Sequence, residues 1–290
     1  IVDDDAAGRG RTGPFRHQRA HPRMHDRVER GAALGVGEDD RAEAGAVQGA
    51  VRADHLRAEL LHHFFESFGA RLHDDARGPV GRELVVRGGG QPLVGLSRAA
   101  LDIADAGSVR RAFDEHRAAL VINAAGWTAV DRAEAEPDAA WRANRDGPAV
   151  LADACAALGI PLIHLSTDYV FDGRMPGPYA ETAAVAPLGV YGRSKLAGEE
   201  AVRERLPDRH LILRVAWVFG AHGGNFVRTM LRLARERDEL AVVADQYGGP
   251  THAGAVADAL LAIADRHRTG ATTRWCTYHL CGTPVTTWHG

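Results

Sequence analysis

Four side chains in this 290-residue sequence have the types and spacing to deliver a proton to a polarised oxygen: Thr167, Asp168, Tyr191 and Lys195. Tyr191 and Lys195 lie four apart in a segment of helical composition running to about Arg205, which puts phenol and ammonium on one helix face, one turn apart. A cation beside a phenol favours phenolate, so such a tyrosine can release and take up a proton near neutral pH. Thr167 and Asp168 add a hydroxyl and a carboxylate at the end of a short apolar run, Ile160 to Leu165. Tyr-x-x-x-Lys alone is a weak signal, because both residues are common on helices; a half-buried Tyr beside a solvated Lys has the same pattern.

The elements that must position these groups follow from periodicity. Ile160–Leu165 reads as a buried parallel strand, and the tip of such a strand is where open α/β sheets bind ligands. Leu93–Leu96, Leu120–Ala125, His210–Val215, Leu240–Val243 and Thr277–Leu280 read as further strands. Helical spacing covers Asp138–Leu158, Phe226–Arg237 and Ala253–His267, and Thr286–His289 resembles the cap and first turn of another helix. Strands alternating with helices, without repeats, specify an α/β fold with a doubly wound parallel sheet.

Taken with the strand ending Ser166-Thr167-Asp168-Tyr169-Val170-Phe171, the Tyr–Lys pair resembles the extended branch of the short-chain dehydrogenase/reductase family, which acts on nucleotide sugars. Within that branch the string from Val121 to Thr251 is similar to the dTDP-4-dehydrorhamnose reductases. The matching pieces are Val121–Asp131, Ser166–Phe171, Val190–Glu199, Arg214–Phe219, Gly224–Phe226 and Asp245–Thr251. Their order and number make chance a poor explanation. The resemblance implies a Rossmann-like domain over 78–290, with a small substrate lobe formed mainly by 172–190 and 217–290. It implies reduction by NADPH, with NADH as the alternative, of the 4-keto group of dTDP-4-dehydro-L-rhamnose to give dTDP-L-rhamnose.

Residue by residue, the resemblance makes Thr167, Tyr191 and Lys195 the catalytic group, with Tyr191 and Lys195 also touching the cofactor. Gly78, Val80 and Gly81 fall at the phosphate-binding turn and helix start, where free amides face a diphosphate. The family's first glycine is replaced by Asp75, and Arg71–Asp74 makes a poor central strand. Ser97 and Arg98 fall at the cofactor ribose, where an Arg favours a 2′-phosphate; Asp102 and Ile103 match the adenine side. Ala124, Ala125 and Gly126 let the dinucleotide approach the backbone. Thr167, Asp168, Trp217 and Asn225 face the sugar substrate. Asn144 matches a helix asparagine that positions a proton-relay water, or is a local polar residue of a helix face.

Composition restricts the alternatives. A net charge of −3 gives no reason to expect nucleic-acid or membrane attraction, and no apolar run approaches a membrane span. Cys155, Cys276 and Cys281 match no metal spacing and suggest reduced thiols in a cytoplasmic protein, with Cys155 a small core residue. Residues 1–77 differ from the rest: little periodicity, many Arg, and one candidate amphipathic helix near 51–68. His17, His21 and His25 have helical spacing, but Pro22 interrupts it, so no metal site is expected there. The expectation is an extension not native to the domain, from a reading-frame or gene-boundary artefact, and a C-terminus cut short. A homodimer and a Mg2+ dependence at its contact are left open. The competing readings are another epimerase or dehydratase of the branch, and a non-catalytic dinucleotide-binding subunit.

Overall fold

The computed structural model describes residues 78–271 and 273–289. The helix expected near 51–68, the His17–His21–His25 series and Asp75 lie outside the described residues. The centre is a parallel sheet of four strands: β1 (Val121–Asn123), β2 (Leu162–Thr167), β3 (His210–Val215) and β7 (Thr277–Leu280), adjacent in that order. Leu162 pairs with both Val121 and His210, and Ser166 pairs with Arg214, which in turn pairs with His279.

Successive side chains of a strand point to opposite faces, so each strand feeds two cores. On one face α2 (Ala106–His116), α5 (Gly147–Leu158) and α6 (Val190–Arg205) bury Phe113, Leu151 and Val202 against Val121 and Leu162. On the other, α1 (Pro79–Arg87) and α8 (Ala253–Arg268) bury Leu84, Val256 and Leu260 against Ile163, Leu165, Leu211 and Leu213. Burying one such side chain is worth about 1.5–3 kcal/mol, so these two layers carry the fold. Cys155 sits in the first layer, where burial pushes its thiol up to about 12.

Several expected elements differ. Leu93–Leu96 joins no ladder: the Leu93 amide turns back onto Gln91 O at 2.7 Å, and Gly95 offers no side chain to pack. Leu93 and Leu96 still sink into the two separate cores. Leu240–Val243 is irregular, with Val243 52% exposed and no strand beside it to make a ladder among the described residues. Thr286–Thr287 is not a helix start but a strand, β8, antiparallel to β5 (Tyr247–Gly248), in keeping with its β-branched residues. A second small sheet pairs β4 (Val218–Phe219) with β6 (Thr251–His252).

The segment expected as one helix over 138–158 is three pieces. A short helix, α4 (Pro137–Trp141), follows α3 (Val130–Ala135) and runs into a π-helical turn over Arg142–Asp146 that feeds α5. The helix expected to reach Arg237 is α7 (Phe226–Leu233), which closes in turns onto Leu233 O.

Candidate active site

Strand β2 sets Thr167 at the carboxyl edge of the sheet, and a single 3-10 turn (Asp168–Val170) follows it. The Thr167 hydroxyl donates to Asp168 Oδ1 at 3.0 Å and accepts from the Tyr169 amide at 3.2 Å, which locks its rotamer. It also lies close enough to the phenol of Tyr191 to favour its ionised form, so the strand tip and α6 meet. Tyr191 is in the first turn of α6, beginning after Gly189, and its ring packs edge-on against Tyr169 at 5.3 Å. The start of α6 is held from α3: the Val190 amide donates to Glu134 Oε1 at 2.6 Å.

One turn on, Lys195 is buried at 5% exposure and donates from Nζ to Leu165 O at 2.6 Å, two residues before Thr167. Burial lowers its pKa to about 8, with the carboxylate of Glu199 pulling the other way. Burial also holds the Tyr191 phenol above its usual range; the Thr167 hydroxyl opposes this, and Asp168 and Tyr169 add to it. The expectation of a phenolate-prone tyrosine is therefore corrected: the phenol is neutral. For a group expected to donate a proton, that is the useful state.

Two buried asparagines tie the surrounding elements. Asn144, in the π turn, accepts from the Trp127 amide at 2.8 Å and donates to Trp127 O at 3.1 Å and to Ser194 Oγ at 3.0 Å. It braces the loop after β1 against α6 and is not a helix-face polar residue. A side chain on Gly198 would collide with the Asn144 carbonyl, so the two helices can approach this closely only through glycine. Asn123 fixes Ala125 through a 3.0 Å bond and contacts His164 Nδ1 at 3.0 Å, leaving the buried His164 Nε2 without a partner.

Glu199 and Arg214 were not singled out from the sequence. They form a buried two-pronged pair, Nε–Oε1 2.8 Å and Nη2–Oε2 2.7 Å, and Arg203 adds a third bond at 2.6 Å. Burial would raise the Glu199 pKa, but Arg214 outweighs it and keeps the carboxylate ionised. A sequence signal was available, since Glu199 continues the four-residue step from Tyr191 through Lys195. So was another: Lys195 is the one lysine of the sequence, which is otherwise rich in arginine.

Of the cofactor candidates, Ala124, Ala125 and Gly126 directly follow β1 at the same edge of the sheet. Helix α1 starts at Gly78-Pro79 with no side-chain cap and no acidic residue in its first turn, and Val80 and Gly81 are buried there. Gly126 lies where an added side chain would come 2.9 Å from Asn144 Oδ1 and 3.6 Å from Lys195 Nζ. Ala125 and Ser97 are buried and Arg98 is exposed. Asp102 accepts from the Ala104 amide at 3.0 Å and pairs with Arg142 at 2.7 Å, so its carboxylate already has partners; Ile103 packs beneath Gly147.

On the substrate side, Trp217 lies two residues past Val215, the partner of Thr167 in the ladder. It has a positive φ of 49° and stacks on Trp288 at 3.7 Å. Asn225 spends its amide locally, capping α7 through the Arg228 amide at 3.1 Å and donating to Gly220 O at 2.9 Å. Among the described residues no group of three or more His, Cys, Asp or Glu is arranged to hold a metal, and no helix is long and apolar enough to cross a membrane.

Comparison with known proteins agrees with this geometry. The family model described as the RmlD substrate binding domain matches residues 72–290. A dTDP-4-dehydrorhamnose reductase of Streptomyces griseus is 47% identical over 216 residues, covering 74% of this chain and 71% of its own length. A dTDP-4-keto-6-deoxy-D-glucose reductase of Streptomyces niveus is 46% identical over 194 residues, covering 66% of this chain and 67% of its own. The crystal structure of dTDP-4-dehydrorhamnose reductase from Bacillus anthracis in complex with NADP superposes with a TM-score of 0.67 at 36% identity, covering 73% of this chain and 74% of that one. A Rossmann-like sheet with Thr, Tyr and Lys gathered at its carboxyl edge, and a family match over most of the length, place this chain in the RmlD family of dTDP-4-dehydrorhamnose reductases, an oxidoreductase family.

Proposed function

We propose that this chain uses NADPH to reduce the 4-keto group of dTDP-4-dehydro-L-rhamnose, giving dTDP-L-rhamnose. The observation that carries the reading is the meeting of the Thr167 hydroxyl with the neutral Tyr191 phenol, one helical turn from the buried Lys195. The residues present fit a dinucleotide: an uncapped, acid-free helix start at Gly78–Gly81 suits a diphosphate, and Gly126 leaves the floor near Lys195 open. Ser97 and Arg98 would take the adenosine ribose and its phosphate, Asp102 and Ile103 the adenine side, and Ala124–Gly126 the nicotinamide side.

A bound nicotinamide supplies the hydride. The chain supplies the rest. Thr167 turns its hydroxyl proton from Asp168 to the ketone oxygen, and Tyr191 gives its proton to that oxygen as negative charge develops on it. The Lys195 ammonium stabilises the phenolate left behind, which solvent then reprotonates. Asp168 holds a sugar hydroxyl, and Trp217, whose ring is packed against Trp288 and Gly248, borders the sugar with its edge. The Asn225 amide fixes the turn before α7 on that side.

The Streptomyces niveus relative favours a second reading, in which the same bond is reduced on dTDP-4-keto-6-deoxy-D-glucose. Offering each keto-sugar with NADPH and following cofactor consumption decides between them. Consumption with the rhamnose precursor supports the first reading, consumption only with the glucose compound supports the second, and none with either rejects both. We further assign the reductase domain to 78–290 and treat 1–77 as a separate extension; the family match begins six residues earlier, at 72, and supports a boundary in that neighbourhood. An uninterrupted, confirmed frame at the 5′ end of the gene would count against the extension being foreign.

A further inference from the structure

Tyr191, Lys195, Glu199 and Arg203 follow one another at four-residue steps, so they form one stripe along α6. The first two are the proposed proton donor and its partner. The third has no contact with either substrate or cofactor in the function proposed above, yet it is completely buried and ionised. An ion pair in this position is not needed to hold a helix on a sheet, since well-packed apolar residues do so at no desolvation cost. What apolar residues cannot provide is negative charge one turn from a buried ammonium.

We propose that Glu199, gripped by Arg214 and Arg203, is a positioning residue for Lys195: it fixes the height of α6 above the sheet and supplies the charge that keeps the lysine an ammonium. This rests on the reductase reading. The geometry is direct. Arg214 stands on β3 in register with Ser166, and its two-pronged bond to Glu199 joins the middle of α6 to the middle of the sheet. Lys195 then reaches Leu165 O on the neighbouring strand.

The other charged or titratable groups around the stripe do not replace Glu199. From β7 comes His279, whose ring lies 3.4 Å from Arg214 and whose pKa burial lowers, and Glu181 sends its carbonyl to Arg214 and its carboxylate to the His279 amide. From β2 comes His164, whose pKa burial and the Lys195 charge hold well below its usual value, so it is neutral. From the turn after β2 come Asp168 and Tyr169, whose pKa values burial raises. From α3 come Asp131 and Glu134, the latter bonded to the Val190 amide; α4 carries Asp138. In the π turn Arg142 and Arg145 are paired with Asp102 and Asp146, and on α5 Asp153 is paired with Arg205. Burial works against the Lys195 charge and Glu199 works for it.

Because the sequence contains a single lysine, protein labelled with carbon-13 at lysine Cε gives one side-chain resonance, and its pH titration reads Lys195 alone. The wild-type midpoint is expected near 8. In Glu199→Gln it should fall by about one pH unit, a tenfold loss of proton affinity. The alkaline limb of the kcat/KM profile should move down with it, while KM for the nucleotide sugar changes little. Glu199→Asp, which keeps the charge, should return most of the midpoint. A folded Glu199→Gln protein with the wild-type midpoint and an unmoved limb overturns the proposal, and loss of thermal stability alone shows only a brace. Should Glu199→Gln fail to fold, Arg203→Met tests the opposite sign. Arg203 is partly exposed, and without it the carboxylate is less neutralised, so the midpoint should rise by a few tenths of a pH unit. A fall or no change overturns the proposal. A wild-type chain that consumes no NADPH would instead reject the reductase reading and leave the lysine titration readable.

Discussion

Helix α6 and the aromatic lobe that follows it are built on opposite plans. Helix α6 buries eight of its residues, including Tyr191, Lys195 and Glu199, and its polar atoms are tied to β2, β3, α3 and the π turn by named hydrogen bonds. Helix α7, in the lobe, buries none; Val227 and Leu231 are 41% and 61% exposed. The lobe relies on Trp288, stacked on Trp217 and tilted against Phe226 at 4.5 Å, with its indole N–H donating to Gln246 at 3.1 Å. A tryptophan at positive φ costs roughly 1–3 kcal/mol, which the stack must offset. The contrast separates two tasks. Proton delivery needs groups held to fractions of an ångström, and a buried polar network does that. Sugar recognition, on the reading proposed above, uses flat rings on short two-stranded ladders, where adjustment costs little.

If that division holds, damage to α6 should reach turnover and damage to the lobe should reach affinity. The largest effect is expected for Tyr191→Phe, which should cut kcat by about 10²- to 10⁴-fold with the dissociation constant for the nucleotide sugar nearly unchanged. Retained turnover would remove the tyrosine from the mechanism. Next is Arg214→Met, which leaves the Glu199 carboxylate buried with Arg203 alone and should cost about 3–5 kcal/mol in denaturant unfolding. A loss under 1 kcal/mol would mean that the pair is not desolvated as described. Asn144→Ala removes partners of the Trp127 backbone and Ser194 and should cost about 1–3 kcal/mol, with kcat falling more than KM rises. The mildest is Trp288→Ala. It should remove about 0.5–1.5 kcal/mol of stacking, seen as a several-fold higher KM with kcat kept, and a kcat loss matching that of Asn144→Ala would erase the contrast.

Acidity gives a fifth check. The Lys195 pKa is lowered on folding from 10.5 to about 8, so between those values the unfolded chain binds more protons than the folded one. Stability should therefore rise as pH climbs from about 8 towards 10.5, and Lys195→Met should flatten that rise in urea titrations.

The parts of the site read correctly from sequence are those where local pattern and tertiary position coincide. The apolar run Ile160–Leu165 has one place to go, the middle of a parallel sheet, and the four-residue step from Tyr191 to Lys195 fixes their common face wherever the helix lies. Leu240–Val243 had the same apolar character but no partner strand among the described residues, and strand formation is a property of pairs. Tyr191 was misjudged for a related reason. Spacing shows that a cation is a turn away, not that burial of the phenol outweighs it. Glu199 and Arg214 escaped because their meeting spans two elements, and a charged residue on a helix is ordinarily solvated. The aromatic stack joins residues 71 positions apart and leaves no periodic trace.

The wide turn at Arg142–Asp146 also explains why 138–158 passed for one continuous helix, since a single extra residue alters neither composition nor length noticeably. It does alter phase. Each residue of an α-helix advances about 100°, so the surplus residue swings everything after it round by more than a quarter turn relative to what precedes it. Deleting any one residue from this loop would restore regular winding and carry Ala140 and Leu151 out of alignment with the surfaces they now fill. Length, more than identity, is the quantity guarded here, and a shortening at this point should harm the protein more than most single exchanges of side chain.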